Sequence, residues 1–333
     1  MREEIERHPL AARFNRLEPE QILDAVEVGG RRCSGRFIIL NSYENRVYQL
    51  ELEDESWVVG KFYRPGRWSE ETILDEHAFL AELRDEEIPV AAPLELEPGS
   101  TLGEVEGIRY ALFPRVGGRN PQELDDEQLE MAGRLIARIH NVGARRDALH
   151  RLRITPETYG RRQLASLLES GMIPAEARDN YAATCEALFD RIEPLFAGIP
   201  THRIHGDCHL GNLISTRDGF TFLDFDDMLV GPAVQDVWMM VPSYDEHGRR
   251  QRELLLEAYS QMRDWKSEWL RLVEPLRALR IIRFSAWIAR RWDDPIFRRT
   301  FSQFDSLLYW QQEIQYLREQ IARIDEPGAA QSW

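Results

Sequence analysis

The spacing of hydrophobic and polar positions changes character partway along the chain. Residues 18–29 carry Ile22, Leu23 and Val26 at helical spacing. From residue 36 to 63 the period shortens. Phe37-Ile38-Ile39-Leu40 is a short apolar run, Arg46-Val47-Tyr48-Gln49-Leu50 alternates, and Trp57 to Tyr63 is rich in β-formers, with Glu53-Asp54-Glu55 as a polar turn. This pattern predicts an antiparallel sheet. A helix is predicted over 69–84, with Ser69 as N-cap and Leu74, Phe79, Leu80 and Leu83 inward. Two more strands are predicted near 94–96 and 110–113. Beyond Pro114-Arg115-Val116-Gly117-Gly118-Arg119 the period is mostly helical, with helices near 126–142, 156–170, 174–196, 249–264, 266–292 and 303–324. A sheet-rich part followed by a helix-rich part predicts an α+β protein with two lobes and a ligand in the cleft between them. The end, from Asp325 to Ala330, reads as a loose tail.

Bulk properties narrow the classes. At 333 residues, with 43% hydrophobic and 30% charged, the chain suits two domains or one bilobal enzyme. No apolar run is long enough to cross a bilayer, and Met1 to Arg7 is charged on both signs, unlike a secretory signal. The net charge of −15 argues against a broad nucleic-acid surface. Three scattered cysteines, Cys33, Cys185 and Cys208, point to a reducing cytoplasm and not to a disulfide framework.

The chemistry concentrates in His205-Gly206-Asp207-Cys208-His209-Leu210-Gly211-Asn212 and in Asp224-Phe225-Asp226-Asp227. On a strand His205, Asp207 and His209 would share a face and could ligate zinc, but Gly206 and Gly211 weaken a strand and no further His/Cys cluster lies nearby. A Cys208–His pair lacks a nucleophile elbow. A plain reading is a loop that satisfies its own backbone. Phosphoryl transfer explains more. It needs an Asp to orient and accept the proton of the attacking hydroxyl, an Asn on Mg²⁺, and a second metal-binding Asp after a strand. The spacing His205-x-Asp207-x-x-x-x-Asn212 matches, Phe220 to Leu223 supplies the strand, and Asp224 follows it.

The first part of the chain adds Lys61, in Val58-Val59-Gly60-Lys61, a strand lysine of the kind that contacts α and β phosphates. Alone it would read as an ordinary edge-strand lysine. Its expected carboxylate partner lies on the next helix. Glu76 fits best, with Glu71, Asp75 and Glu82 as rivals. No G-x-G-x-x-G loop is present. Asn41 to Arg46 stands where it would be, and reads either as a polar turn or as phosphate-binding amides aided by Ser42 and Asn45. No A-P-E sequence follows, and Asp224 to Asp236 leaves no room for a long activation segment.

These motifs, with Gly231-Pro232-x-x-x-Asp236, resemble the aminoglycoside phosphotransferase and choline kinase-like family. Stretches such as Lys61-Phe62-Tyr63-Arg64-Pro65, Pro89-Val90-Ala91-Ala92-Pro93 and Glu274-Pro275-Leu276-Arg277-Ala278 are similar to its bacterial stress-response kinase branch, over about residues 16–300. The resemblance implies a bilobal, protein-kinase-like α+β fold. A small sheet-rich N-lobe would span 1–113, a hinge 114–119 and a larger helical C-lobe 120–333. It implies an ATP-dependent Ser/Thr protein kinase, monomeric and cytoplasmic, with Mg²⁺, a protein substrate, and no nucleic-acid or membrane partner. By the motifs, Asp207 would be the proton acceptor. Asn212 and Asp224 would hold Mg²⁺, with Asp224 also against the transferred phosphoryl group. Ser42 would lie at the ATP site, Lys61 on the phosphates and Glu76 on Lys61. The backbone of Pro114–Gly118 would meet adenine, Asp236 would fix the catalytic loop, and His205 would support it. Cys208 reads as a packed thiol or a redox group. His209 would brace the loop or touch the substrate hydroxyl.

The acceptor stays open at this level. Residues 266–292 hold Trp269, Trp287 and Trp292 with Arg271, Arg277, Arg280, Arg283, Arg290 and Arg291. They read as an amphipathic helix or as a groove for an acidic partner. Asp226-Asp227 would repel an anionic acceptor or attract a cationic one. An amino-alcohol or aminoglycoside kinase is therefore the alternative, and a non-catalytic nucleotide-binding adaptor is a second.

Overall fold

Five strands of alternating burial build the sheet of the first part: β1 (Cys33–Leu40), β2 (Arg46–Leu52), β3 (Trp57–Phe62), β4 (Gly103–Val105) and β5 (Ile108–Pro114). In the computed structural model, which describes residues 10–15, 17–28, 30–216 and 219–326, they are antiparallel in the order β1-β2-β3-β5-β4. The period of two sends Tyr48, Leu50, Val58, Phe62, Tyr110 and Leu112 to one face, where they bury Phe14, Ile22 and Val26 from the N-terminal helices. Each such side chain contributes about 1.5–3 kcal/mol by leaving water. Lys61 pairs with Val47 on one side and Ala111 on the other, so its strand is central and not an edge.

The helix after the sheet, Glu70–Asp85, starts at Ser69, whose side chain accepts the Thr72 N–H. Ile73, Glu76, Phe79, Leu80 and Leu83 are among its buried positions, with Thr72 and His77. Leu74, expected inward, is 40% exposed, because it falls two residues off the Glu76–Leu80–Leu83 row. The strand expected near 94–96 does not form. Pro93 and Pro98 flank it. It is tied instead by single bonds, from Leu94 N–H to the Leu112 carbonyl and from Leu96 N–H to that of Ser100. A hairpin from far along the chain, Leu213–Thr216 with Gly219–Phe222, completes this part. Phe222 N–H donates to the Pro89 carbonyl, and Arg119 and Ser215 exchange both backbone bonds. The first compact unit therefore comprises the chain up to Gln122 together with Gly211–Asp226.

The second unit comprises Glu123–Leu210 and the chain from Asp227 onward. It is helical, with a short antiparallel ladder of His202–Ile204 against Leu229–Gly231. Ile204, Leu229, Val234, Leu276, Leu279 and Trp310 lie in its core. The helix expected over 249–264 runs from Glu246 to Ser260, since Asp245 caps it by accepting the Gly248 N–H. The helix expected over 266–292 is a 3-10 segment, Ser267–Leu272, followed by the α-helix Val273–Arg290. The last helix ends at Asp325, and the expected tail beyond Glu326 lies outside the described residues, as do Met1–Pro9. Among the described residues no helix is long and apolar enough to cross a membrane.

Candidate active site

In the first unit Lys61 gathers three carboxylates. Its Nζ lies 3.1 Å from Asp224 Oδ1, 3.1 Å from Asp226 Oδ1 and 3.7 Å from Glu76 Oε1. The Lys61 side chain is only 9% exposed, and burial by itself pulls an ammonium down. The three carboxylates outweigh that and hold it well above its ordinary value, so it stays charged. Of the acidic residues on the helix, Glu76 is the buried one. Glu71 is exposed, while Asp75 and Glu82 are partly so. Asp226 is also held by Arg67 and by Asn45 Nδ2 at 3.1 Å, and Arg67 and Arg64 both reach Glu44. Lys61, Arg64 and Arg67 thus lie among Glu44, Glu76, Asp224 and Asp226.

The loop between β1 and β2 is held from inside. Asn45 is buried, with its amide nitrogen on Asp226 and its oxygen accepting the Arg64 N–H at 3.2 Å. Ser42 is exposed, and its hydroxyl accepts the Asn45 N–H at 3.2 Å. Asn45 is therefore a brace, and Ser42 the outward-facing group of the pair.

Asn212 and Asp224 flank the open end of the hairpin. Leu213 pairs with Phe222, and Leu223 N–H donates to the Asn212 carbonyl at 2.9 Å. Asp224 then turns into the left-handed region with φ of 56°, a conformation that costs a non-glycine residue about 1–3 kcal/mol. The turn leaves its carboxylate 58% exposed beside Lys61. One amide oxygen and one carboxylate are hard donors of the kind Mg²⁺ takes alongside water and phosphate oxygens. Among the described residues no three His, Cys, Asp or Glu side chains form a group that could hold a metal ion.

In the second unit the residues after His202–Ile204 form a tight loop on Asp236. The main-chain N–H groups of His205 and Gly206 donate to its two oxygens at 2.9 and 2.8 Å, and His140 Nε2 is 3.0 Å from Oδ2. Gly206 has φ of 84°, and a Cβ there would sit 2.4 Å from the Asp227 carbonyl oxygen, so only glycine fits. His205 is fully buried, and its Nδ1 accepts the Asp207 N–H at 3.3 Å. Burial lowers His140 below its usual value, although Asp236 pulls the other way.

Asp207 stands at the turn of this loop. His209 Nε2 lies 3.3 Å from its Oδ2 and Arg280 Nη2 lies 2.9 Å from its Oδ1. Burial alone would raise this carboxyl. The His209 hydrogen bond and the Arg280 charge outweigh it and hold Asp207 well below the usual carboxylate range. Cys208 is 1% exposed, and its burial, with Asp236 and Asp207 nearby, pushes the thiol well above its usual value. Such burial is the setting of a packed thiol.

Sequence reasoning did not single out Arg67, Arg280 or Arg283. No motif marks Arg67. Arg280 and Arg283 were hidden among six arginines, and only three-dimensional register separates them. Arg283 reaches Asp227 at 3.4 Å and stacks on the Tyr159 ring.

Stress response kinase A of Salmonella paratyphi A is 38% identical over 315 residues, covering 94% of this chain and 95% of the relative. The serine/threonine protein kinase RdoA of Salmonella typhimurium is likewise 38% identical over 94% of this chain and 95% of its own. Among solved structures, amicoumacin kinase hAmiN in complex with AMP-PNP, Ca²⁺ and Ami superposes with a TM-score of 0.72. That match covers 90% of this chain and 96% of the other at 18% identity, a likeness of fold. The expected α+β fold, with a sheet-containing N-terminal region and a helical C-terminal region, is thus the one observed. The profile of the phosphotransferase enzyme family matches residues 38–272, and the chain belongs to that family.

Proposed function

We propose that the protein transfers the γ-phosphoryl group of ATP to a Ser or Thr hydroxyl of a protein, with Asp207 accepting the hydroxyl proton. The observation that carries the reading is the buried Lys61, kept charged on a central strand among Glu76, Asp224 and Asp226. A kinase asks its protein mainly for positioning and charge placement, and this cluster offers both. Lys61 would hold the phosphates, oriented by Glu76. Asn212 and Asp224 would hold Mg²⁺, which would supply charge neutralisation at the phosphates. Ser42 and the loop amides that Asn45 braces would meet the phosphates, and the backbone of Pro114–Gly118 would bind adenine. Asp207, kept ionised by His209 and Arg280, would orient the acceptor hydroxyl and take its proton as the bond to phosphorus forms. Asp236, by holding the His205 and Gly206 amides, fixes the loop that carries it. Free, scattered cysteines suit a reducing cytoplasm.

Protein as acceptor is supported by the relative that bears a serine/threonine kinase name. A second reading, a small-molecule kinase, is favoured by the likeness of fold to an amicoumacin kinase. The two acidic residues that would draw a cationic metabolite are, however, engaged by this chain's own cations, Asp226 by Lys61 and Arg67 and Asp227 by Arg283. Radiolabelled ATP with the pure protein separates the readings. Label on the protein itself and on general protein substrates is expected. Label only on an amino alcohol or aminoglycoside would replace the first reading with the second. Binding of ATP with no transfer at all would leave a nucleotide-binding adaptor.

A further inference from the structure

The arginines of residues 266–292 sort by partner. Arg271 donates to the Leu195 and Ala197 carbonyls, Arg277 lies 4.2 Å over the Tyr244 ring, and Arg290 bonds Gln163. Arg283 is spent on Asp227 and Tyr159, with 21% of its side chain exposed. Arg280 differs. It meets Asp207, yet its side chain is 44% exposed. One turn further along the same helix face stands Phe284, 45% exposed and backed by Trp287 at 5.4 Å and Phe301 at 5.8 Å. A half-exposed cation on the candidate base and an exposed aromatic about 6 Å farther along make one stripe of mixed character.

We propose that Arg280 and Phe284 recognise the acceptor, and that the acceptor is a polypeptide segment with a carboxylate beside the accepting hydroxyl and an apolar side chain about one helical turn away. The inference rests on the reading of Asp207 as proton acceptor in a protein kinase. The reasoning is one of charge. Both Asp207 oxygens are covered, Oδ2 by His209 Nε2 at 3.3 Å and Oδ1 by Arg280 Nη2 at 2.9 Å, the latter a charge contact in which, among the described residues, the buried Oδ1 accepts no directed hydrogen bond. An incoming hydroxyl needs one of them. Arg280 can yield Oδ1 at little cost only if another anion takes up its fork of N–H groups. A carboxylate next to the hydroxyl supplies that anion. A lysine there would face Arg280 directly, and like charges brought together select against the wrong partner. Phe284 gives an apolar acceptor residue a surface packed on its inner side by Trp287 and Phe301, which limits the side-chain freedom lost on docking.

The experiment uses the full chain, ATP with Mg²⁺, and short peptides with a single Ser. The residues flanking the Ser are Glu, Gln or Lys, and a Leu one turn away is present or replaced by Ser. The wild-type protein is expected to favour the Glu-flanked over the Lys-flanked peptide by about fivefold in kcat/KM, the ratio one partly exposed ion pair gives. Arg280→Glu is expected to reverse that order, measured as a ratio within the variant so that a general loss of rate cancels. Phe284→Ser is expected to raise KM for the Leu-bearing peptide and to leave KM for its Ser-bearing counterpart unchanged. Equal use of all three flanks by the wild-type protein, or a preference for Lys, overturns the inference, as does an unchanged order in Arg280→Glu. If Arg280→Glu does not fold, Arg280→Gln must flatten the ratio, and a retained fivefold ratio there overturns it equally. A protein that labels no peptide but phosphorylates an amino alcohol loses the protein-kinase reading itself. Peptides labelled without regard to charge leave that reading standing and remove only the stripe.

Discussion

The carboxylates of the two units are neutralised in different ways. In the first unit four of them, Glu44, Glu76, Asp224 and Asp226, share Arg64, Arg67 and Lys61. The most exposed of the four is Asp224, at 58%. In the second unit Asp207 lies between Arg280 and His209. A cluster that gathers several carboxylates, one of them open to solvent, is prepared to take up a further cation, because each bound cation relieves repulsion among the acids. A carboxylate flanked by an arginine and a histidine is prepared to stay ionised. The same residue type therefore does different work in the two places, and its neighbours set which.

The comparison breaks first at Asp207. Asp207→Asn keeps the shape and the Arg280 contact but cannot accept a proton. Phosphate transfer is expected to fall by about 10²–10⁴-fold in single-turnover measurements, the usual contribution of general base catalysis. Nucleotide affinity should hold, since the residues assigned to it lie in the other unit. Transfer retained in this variant would sink the assignment of Asp207. Asp224→Ala should do the reverse. Calorimetry with and without Mg²⁺ should show the metal-dependent part of ATP affinity reduced by at least the roughly 10–100-fold that loss of an outer-shell partner costs. An unchanged metal increment would mean that the Asp224 cluster is not a metal site.

Much of this was legible from spacing. The alternation around Lys61, the Ser69 cap and the x-Asp-x-x-x-x-Asn interval are local, and local periodicity reports them. What escaped was long-range. The strands Leu213–Thr216 and Gly219–Phe222 join the first unit through backbone bonds to Pro89 and Arg119, and no short window contains both partners. Leu74 was misplaced because the buried row passes through Glu76, a charged residue that a hydrophobic count leaves out. Arg280 was passed over because a helix with arginines every three or four residues looks amphipathic whatever each one touches. Only Asp207, 73 residues earlier in the chain, sets it apart.

A third acid tests the rule that neighbours decide. Glu313 is 8% exposed, and its partner is a hydroxyl, Ser285 Oγ at 2.7 Å. Burial pushes its carboxyl up to about 7, with the Ser285 bond acting slightly against this. The unfolded chain loses that proton near pH 4.3, so between about pH 4.3 and 7 the folded state binds more protons. Stability then falls as pH rises through that window, by up to about 3 kcal/mol from this residue. Glu313→Gln preserves a polar partner for Ser285 and removes the charge. Denaturant melts at pH 5 and pH 8 should show the variant gaining at pH 8 by about 2–3 kcal/mol and little at pH 5. An equal effect at both values would mean that Glu313 is ionised throughout, and that a hydroxyl alone suffices where Asp207 has Arg280 and His209 beside it.

The smallest effect is expected at Ser69, and it asks what fixes the acid side of the Lys61 cluster. Glu76 is carried by the helix Glu70–Asp85, whose first turn is closed by the Ser69 hydroxyl on the Thr72 N–H at 3.2 Å. Ser69→Ala removes that cap and should cost about 1 kcal/mol. For a unit of this size the melting temperature should drop by about 2–4 °C. Glu76, however, is held by the burial of Ile73, Phe79, Leu80 and Leu83 on either side of it, and these contacts lie beyond the frayed turn. KM for ATP should therefore stay where it was while stability falls. Ser69→Asp, an equally good cap, should restore the stability. If KM for ATP instead rises in step with the lost stability, and Asp restores both, then the cap and not the apolar row positions Glu76 against Lys61.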